Sequence, residues 1–215
     1  MRTCIQLENT NKHELPVAFE DDDVRYSESI VEHFLREYTR ENDIVFNPFA
    51  GFGTTLTVAE SMGRIPLGIE YDESRVRYIQ SMLEHPDKII HGDSRQLLSY
   101  DLPAFNFSIT SPPYMGKHDV ENPFTAYTTK GDGYTGYLKD IRSIYEQIRQ
   151  IMAFDAKVVI EVSNIKHGDS ITTLAWDIAK EISKVLHFEG EIVVSWDTYG
   201  CGYDHSYCLF FSKPS

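Results

Sequence analysis

Two stretches carry residue types whose chemistry depends on their spacing. The first is Ser111-Pro112-Pro113-Tyr114. Two consecutive prolines stiffen the backbone and remove two N–H donors, which leaves carbonyls free to accept. A rigid set of acceptors fits a substrate that donates from an amino group, and Tyr114 offers a flat face to a planar ring. Taken in isolation, a Pro-Pro-Tyr is more often a turn with a packed tyrosine. The second stretch is Asn47-Pro48-Phe49-Ala50-Gly51-Phe52-Gly53-Thr54-Thr55, which follows the apolar run Ile44–Phe46 and opens into apolar positions at Leu56, Val58, Ala59 and Met62. Strand, glycine turn and helix start is the arrangement that brings backbone N–H groups against an anionic or polar ligand. Gly51 and Gly53 give the backbone access to positive φ and let a ligand approach closely. Such turns are structural in roughly half of their occurrences, so the glycine turn gains force from the downstream motif.

The elements that must position these residues follow from hydrophobic periodicity. Ser29 with Glu32 three residues on fits a capping box, and Ile30, Phe34, Leu35 and Tyr38 mark one helical face. Strands are expected at Ile44–Phe46, Ile65–Ile69, Ile89–Ile90, Phe107–Thr110 and Val158–Val162, with a helix over Ser74–Leu83 and another carrying Tyr137, Ile141, Ile144, Tyr145, Ile148 and Ile151. Ile171, Leu174, Ala175, Ile178, Ile182 and Val185 predict a further helix. Glu191–Trp196 and Tyr207–Phe211, linked through Gly200 and Gly202, predict a closing antiparallel pair. The fold expected is α/β: a Rossmann-like, seven-stranded, mostly parallel sheet with helices on both faces and a C-terminal antiparallel hairpin strand. In such sheets ligands bind beyond the carboxyl ends of the strands. Asn47, Glu70, Asp93 and Ser111 all fall at those ends, and their coincidence says more than any one motif. A carboxylate ending the second strand suits a ribose diol. Taken alone, Glu70 reads as a solvated strand end and Asp93 as an N-cap.

Composition bounds the rest. The chain has 215 residues, of which 41% are hydrophobic, enough for one core. Residues 1–25 read as an N-terminal arm ending in the acidic run Glu20–Asp23, and residues 26–215 as a single domain. No apolar run has the length of a membrane span, and the first residues lack a signal-peptide pattern. Cys4, Cys201 and Cys208 form no CxxC pair, which points to a reducing, cytoplasmic setting. The net charge of −13, from 20 basic and 33 acidic residues, argues against strong unaided binding to duplex DNA. There is neither a GxxxxGK[ST] phosphate loop nor a GxSxG elbow. Cys201, His205 and Cys208 lie close in sequence but supply too few ligands for tetrahedral zinc. His118 reads as a surface histidine near the motif.

Asn47-Pro-Phe-Ala-Gly-Phe-Gly-Thr-Thr55, Gly68-Ile-Glu-Tyr-Asp72, Gly92-Asp-Ser94 and Thr110-Ser-Pro-Pro-Tyr114, in this order, resemble the motifs of S-adenosylmethionine-dependent amino-methyltransferases. The serine form of the Pro-Pro-Tyr motif is most similar to DNA cytosine-N4 methyltransferases, with adenine-N6 enzymes close by. Arg25–Ser29 and Tyr203–Lys213 resemble the family's segments before the glycine loop and at the closing strand. The resemblance implies that Asn47, Pro48, Phe49, Ala50, Gly51, Gly53, Thr54 and Thr55 surround the methionine part of the cofactor. Glu70 would bind the ribose hydroxyls, Tyr71 would flank the adenine, and Asp93 with Ser94 would meet its amino group. Ser111 and the Pro112 carbonyl would hold the target amino group, with Pro113 stiffening the loop and Tyr114 stacking on the target base. No metal is implied. Transfer would be direct to an exocyclic nitrogen, and a duplex substrate would require base flipping. Two departures stand out. The family usually has Asp where Asn47 stands, and the only sizeable insertion, Met115–Gly136, is too short for a separate target-recognition domain. The expected partner is therefore nucleic acid, DNA first and RNA second, with a separate specificity subunit or a single-stranded substrate as ways to supply recognition. A small amino-bearing substrate and a non-catalytic, cofactor-binding subunit are the other readings.

Overall fold

A computed structural model of the chain describes residues 3–17, 19, 25–197 and 203–214. In chain order the elements are β1 (Cys4–Leu7), α1 (Glu28–Tyr38), β2 (Ile44–Asn47), α2 (Thr54–Ser61), β3 (Ile65–Glu70), α3 (Glu73–Met82), β4 (Ile89–His91), β5 (Phe105–Thr110), α4 (Gly133–Ile151), β6 (Met152–Val162), β7 (Ile165–His167), β8 (Ser170–Thr172), α5 (Leu174–Ile182), β9 (His187–Trp196) and β10 (His205–Ser212). One sheet has the order β1-β9-β10-β6-β5-β2-β3-β4. Strands β6, β5, β2, β3 and β4 are mutually parallel, so their carboxyl ends share one edge. The chain steps outward through β2, β3 and β4, then crosses back to place β5 on the other side of β2. The switch point thus lies between β2 and β5, where a ligand cleft is expected. Strand β10 runs antiparallel to both β6 and β9, as the short link predicts. The link itself, with Gly200, Cys201 and Gly202, lies outside the described residues, as does the acidic run Glu20–Asp23.

Eight strands stand where the sequence predicts seven. The additional strand is β1, which pairs in parallel with β9, Cys4 opposite Val193. A four-residue, half-exposed edge strand leaves too short a pattern to read. The arm beyond it is also docked: the Glu28 carboxylate accepts the N–H groups of Lys12 at 3.1 Å and His13 at 3.3 Å. The cap of α1 is Ser27, whose hydroxyl accepts from Ser29 N–H, and not the predicted Ser29. Ser29 Oγ instead donates to the Glu8 carbonyl at 2.6 Å, and Glu32 pairs with Lys12 and Arg36. The capping residue thus lies two positions before the expected one, and the arm's carbonyls accept from both serine hydroxyls.

Both faces of the sheet are covered, and the alternation along each strand shows it. Val45, Val159, Cys208 and Phe210 face α1 and α2, while Phe46, Val158, Ile160, Leu209 and Phe211 face α4 and α5. Phe105 and Phe107 fall on opposite faces although two residues apart. A register shift between them explains this: Phe105 pairs with Met152, Phe107 with Lys157. Ile171, predicted on a helix, belongs instead to the small β7–β8 hairpin and is exposed; α5 begins at Leu174. Among the described residues no helix is long and apolar enough to cross a membrane.

Candidate active site

Asn47 ends β2 with no exposed surface. Its Oδ1 accepts from Phe49 N–H at 2.9 Å and from the Thr110 hydroxyl at 2.7 Å, while its Nδ2 donates to Thr55 Oγ1 at 2.8 Å. Thr55 Oγ1 also donates to the Ile109 carbonyl at 3.2 Å. One amide therefore ties the end of β2, the start of α2 and the end of β5. It donates on one side and accepts on the other, a division that a carboxylate cannot supply.

Above this strut runs the glycine turn. Ala50 N–H donates to the Ile69 carbonyl at 2.9 Å, which holds the turn against β3. Gly51 has φ +57, and a Cβ there would meet nothing within 4 Å. Gly53, at φ +84, precedes α2 so closely packed that a Cβ would come to 2.8 Å from Ile79. The two glycines thus serve different ends: one leaves space, the other permits contact with α3. No side chain caps α2, which leaves its first N–H groups for whatever the turn holds. Thr54 and Thr55, its first residues, are both buried.

Glu70 closes β3 nearly buried, at 8% exposure. Its Oε2 accepts Gly51 N–H at 2.8 Å and its Oε1 accepts Asp72 N–H at 2.9 Å. Burial pushes its carboxyl up, against the pull of these two bonds. Each oxygen keeps further acceptor capacity beyond the one N–H it takes. Next to it a cleft of about 490 Å³ is lined by Tyr71, Asp72, Glu73, His91, Gly92, Asp93, Ala126 and Thr128. That volume lies within the range of small-molecule and cofactor sites. Asp93 lines the cleft but is engaged: it caps the following 3-10 turn and pairs with Arg95 at 2.7 Å. Ser94 is buried and its hydroxyl donates to the Pro48 carbonyl, bracing the glycine turn from β4's side.

Ser111-Pro-Pro-Tyr114 leaves β5 beside Asn47. The Pro113 carbonyl accepts the Tyr137 hydroxyl at 3.0 Å, and the Tyr114 carbonyl accepts the Tyr127 hydroxyl at 2.9 Å. No described residue donates to the Pro112 carbonyl. The Tyr114 hydroxyl accepts Ser163 N–H at 2.7 Å, so the ring is fixed at its far end by the residue after β6. Glu161, a β6 carboxyl at 3% exposure, lies beside Ser111 and Ser206. Ser206 in turn accepts from Trp196 Nε1 at 3.0 Å. Burial holds the Glu161 carboxyl above the usual range, with the two serines opposing. Sequence reasoning missed Glu161, because a single acid inside an apolar strand run carries no motif. The signal available was the anomaly itself: a charged residue at a position patterned as core.

The structure brings the predicted residues to one edge, with Asn47 beneath the turn, Gly51 and Glu70 at its opening, Tyr71 and Asp93 at the cleft, and Ser111–Tyr114 on the far side of the switch point. His118 lies apart in the following loop, exposed. Among the described residues no group of three His, Cys, Asp or Glu side chains converges as metal ligands would; Cys201 lies outside them. The open space at Gly51, the uncapped start of α2 and the remaining acceptor capacity of Glu70 fit S-adenosylmethionine.

The DNA methylase family matches residues 6–81. Type II methyltransferase M.BglII of Bacillus subtilis is 35% identical over 65 residues, 30% of this chain and 18% of that protein. TrmN from Thermus thermophilus superposes with a TM-score of 0.64 at 14% identity, covering 94% of this chain and 55% of the other. A TehB-like SAM-dependent methyltransferase from Corynebacterium glutamicum gives 0.59 at 11% identity, covering 92% and 93%. The chain thus spans about half of TrmN and matches a smaller part of M.BglII. The chain has the fold of the S-adenosylmethionine-dependent methyltransferases and, over residues 6–81, the sequence pattern of the DNA methylase family.

Proposed function

We propose that this chain transfers a methyl group from S-adenosylmethionine to an exocyclic amino nitrogen of a nucleobase, with cytosine N4 in DNA as the first candidate. The observation that carries this reading is the selective engagement of the Ser111–Tyr114 carbonyls. Tyr137 and Tyr127 occupy those of Pro113 and Tyr114, which leaves the Pro112 carbonyl for an amino donor, with Ser111 beside it. The ring of Tyr114, fixed at its hydroxyl by Ser163, offers the planar surface on which a base stacks.

The bound cofactor would supply an electrophilic methyl on a sulfonium. This chain's own residues do the rest. Gly51, the start of α2 and Glu70 would hold the cofactor, Glu70 by accepting from a ribose diol, with Tyr71 beside the adenine. The Pro112 carbonyl and Ser111 accept the amino hydrogens and so turn the nitrogen lone pair toward the methyl. As positive charge develops on nitrogen, the same acceptors stabilise it; the cofactor would leave as the neutral thioether, and the surplus amino proton passes along one of these hydrogen bonds to solvent. The buried Glu161 carboxyl beside Ser111 would help to orient its hydroxyl.

The motif match and the likeness to M.BglII support DNA; the net charge of −13 and the short Met115–Gly136 insertion favour a single-stranded or RNA substrate. The test is methyl transfer from labelled S-adenosylmethionine to separate pools of duplex DNA, single-stranded DNA and total RNA, followed by nucleoside analysis. N4-methylcytosine in a DNA pool is expected. Label confined to RNA would move the substrate class, and cofactor binding without label in any pool would leave the non-catalytic subunit as the better reading.

A further inference from the structure

The segment Asn122–Thr129 crosses from the cofactor side of the cleft to the target platform, which Tyr127 reaches directly at the Tyr114 carbonyl and Phe124 indirectly through Tyr137. Phe124 lies at 5.7 Å between centroids from Phe49 of the glycine turn and stacks at 5.4 Å on Tyr137, the residue that holds the Pro113 carbonyl. Two residues on, Ala126 and Thr128 line the cleft beside Tyr71 and Asp93, while Tyr127 between them donates to the Tyr114 carbonyl. Ala126 and Tyr127 both have positive φ, at +49 and +60, an arrangement that side-chain-bearing residues rarely adopt in succession. The surrounding bonds impose it: Tyr127 N–H reaches the Asn122 carbonyl at 3.0 Å, Thr128 N–H the Thr125 carbonyl at 3.0 Å, and Asn122 N–H the Thr129 carbonyl at 2.7 Å. A strained turn held by its surroundings in this way is a mark of a functional constraint.

We infer that Tyr127 is a positioning residue that couples the cofactor cleft to the target platform, through the turn it shares with Ala126 and Thr128. A ligand that fills the cleft packs against Ala126 and Thr128, restrains the turn, and thereby fixes the Tyr114 carbonyl and the loop that must present Ser111 and Pro112. This inference rests on the proposed function, since it takes the cleft to be the cofactor's. Coupling of this kind needs an observable beyond turnover, and hydrogen exchange supplies one.

The experiment compares the full chain with Tyr127→Phe, which removes only the hydroxyl. S-adenosylhomocysteine is titrated into each by calorimetry, and amide exchange over residues 111–116 is followed with and without it. In the unaltered chain the ligand is expected to slow exchange at Tyr114, Met115 and Gly116. In Tyr127→Phe the affinity should stay within about twofold, while the ligand-induced slowing at these amides falls by roughly fivefold, the loss of one neutral hydrogen bond. Thermal midpoints of the two free proteins should differ by no more than about 2–4 °C, the worth of one neutral hydrogen bond, which separates coupling from a general loss of structure. Equal slowing in both proteins would overturn the coupling and leave the proposed function standing. Absence of calorimetric binding to the unaltered chain would overturn both.

Discussion

At the scale of single residues, the proposed function divides the labour between Glu70, on the cofactor, and Tyr114, on the target base. Glu70→Ala removes a nearly buried acceptor, and cofactor affinity should drop by roughly 10- to 100-fold, the worth of a charge-assisted bond. Tyr114→Ala removes the stacking surface, and transfer should drop by a similar factor, roughly 10- to 100-fold, with cofactor affinity nearly intact. Calorimetry on both variants checks this; loss of cofactor binding in Tyr114→Ala would contradict the assignment. Glu161 gives a second, pH-based prediction. Its folded-state pKa lies above the ordinary carboxylate value because of burial. Its contribution to stability is therefore fully present below the unfolded value and is lost as pH rises through the folded one. Glu161→Gln keeps a neutral hydrogen-bonding group, so it should flatten that part of the stability profile on the alkaline side. Urea unfolding at a series of pH values, with an unchanged slope in Glu161→Gln, would remove this account. Glu70 and Tyr114 stood out in the sequence because Glu70 ends a strand and Tyr114 closes the motif that follows one. Glu161 did not, because what makes it matter is a neighbour 50 positions away in sequence, Ser111. Asn47 was legible as a position but not as a strut, since its three partners, Phe49, Thr55 and Thr110, meet only in the folded sheet.

At the scale of elements, the strands and helices of the central parallel sheet could be read from periodicity because each is buried on a definite face. The parts that escaped are those whose formation depends on a partner. β1 exists by pairing with β9, and β7 with β8; neither has enough apolar residues to signal itself. The cap of α1 is Ser27, which the docked arm also bonds, through Thr10. The glycine turn was legible as a motif, yet its two glycines are not equivalent. Gly53→Ala combines a positive φ with overpacking against Ile79 and should cost roughly 2–4 kcal/mol. Gly51→Ala meets open space, so it should cost only about 1–2 kcal/mol while placing a methyl where the cofactor is proposed to lie. Denaturant unfolding should rank the two variants one way and cofactor titration the other. Equal stability losses would mean that the α2–α3 contact at Gly53 yields more readily than its geometry implies.

At the scale of the whole molecule, electrostatics and size decide what can approach the site. The loop that borders the target platform carries Asp119, Glu121 and Asp132 against Lys117 and Lys130, and the chain as a whole is at −13. Phosphate neutralisation supplies most of the affinity of a protein for duplex DNA, and this rim offers little of it. A duplex would also have to give up a stacked base, at a few kcal/mol. Nothing between β5 and α4 is long enough to grip the flanking base pairs: the segment there contains one 3-10 turn, Pro123–Thr125, and a single bridge between Glu121 and Lys130. The base platform proposed at Tyr114 does not depend on such contacts, because Tyr127 holds its carbonyl and Ser163 its hydroxyl. A base that is already unstacked avoids the flipping cost. Single-stranded oligonucleotides should therefore be methylated by this chain faster than the same sequence in duplex form, by roughly 100-fold if the full cost of flipping is felt. The comparison is made as kcat/KM on matched oligonucleotides at fixed, moderate salt, because screening acts over about 10 Å at 0.1 M. Equal rates on the two forms would show that something other than this chain's exposed surface offsets the flipping cost. Adding a specificity subunit would then be the experiment to make, since a partner that bends or opens the duplex raises the duplex rate and leaves the single-strand rate where it was.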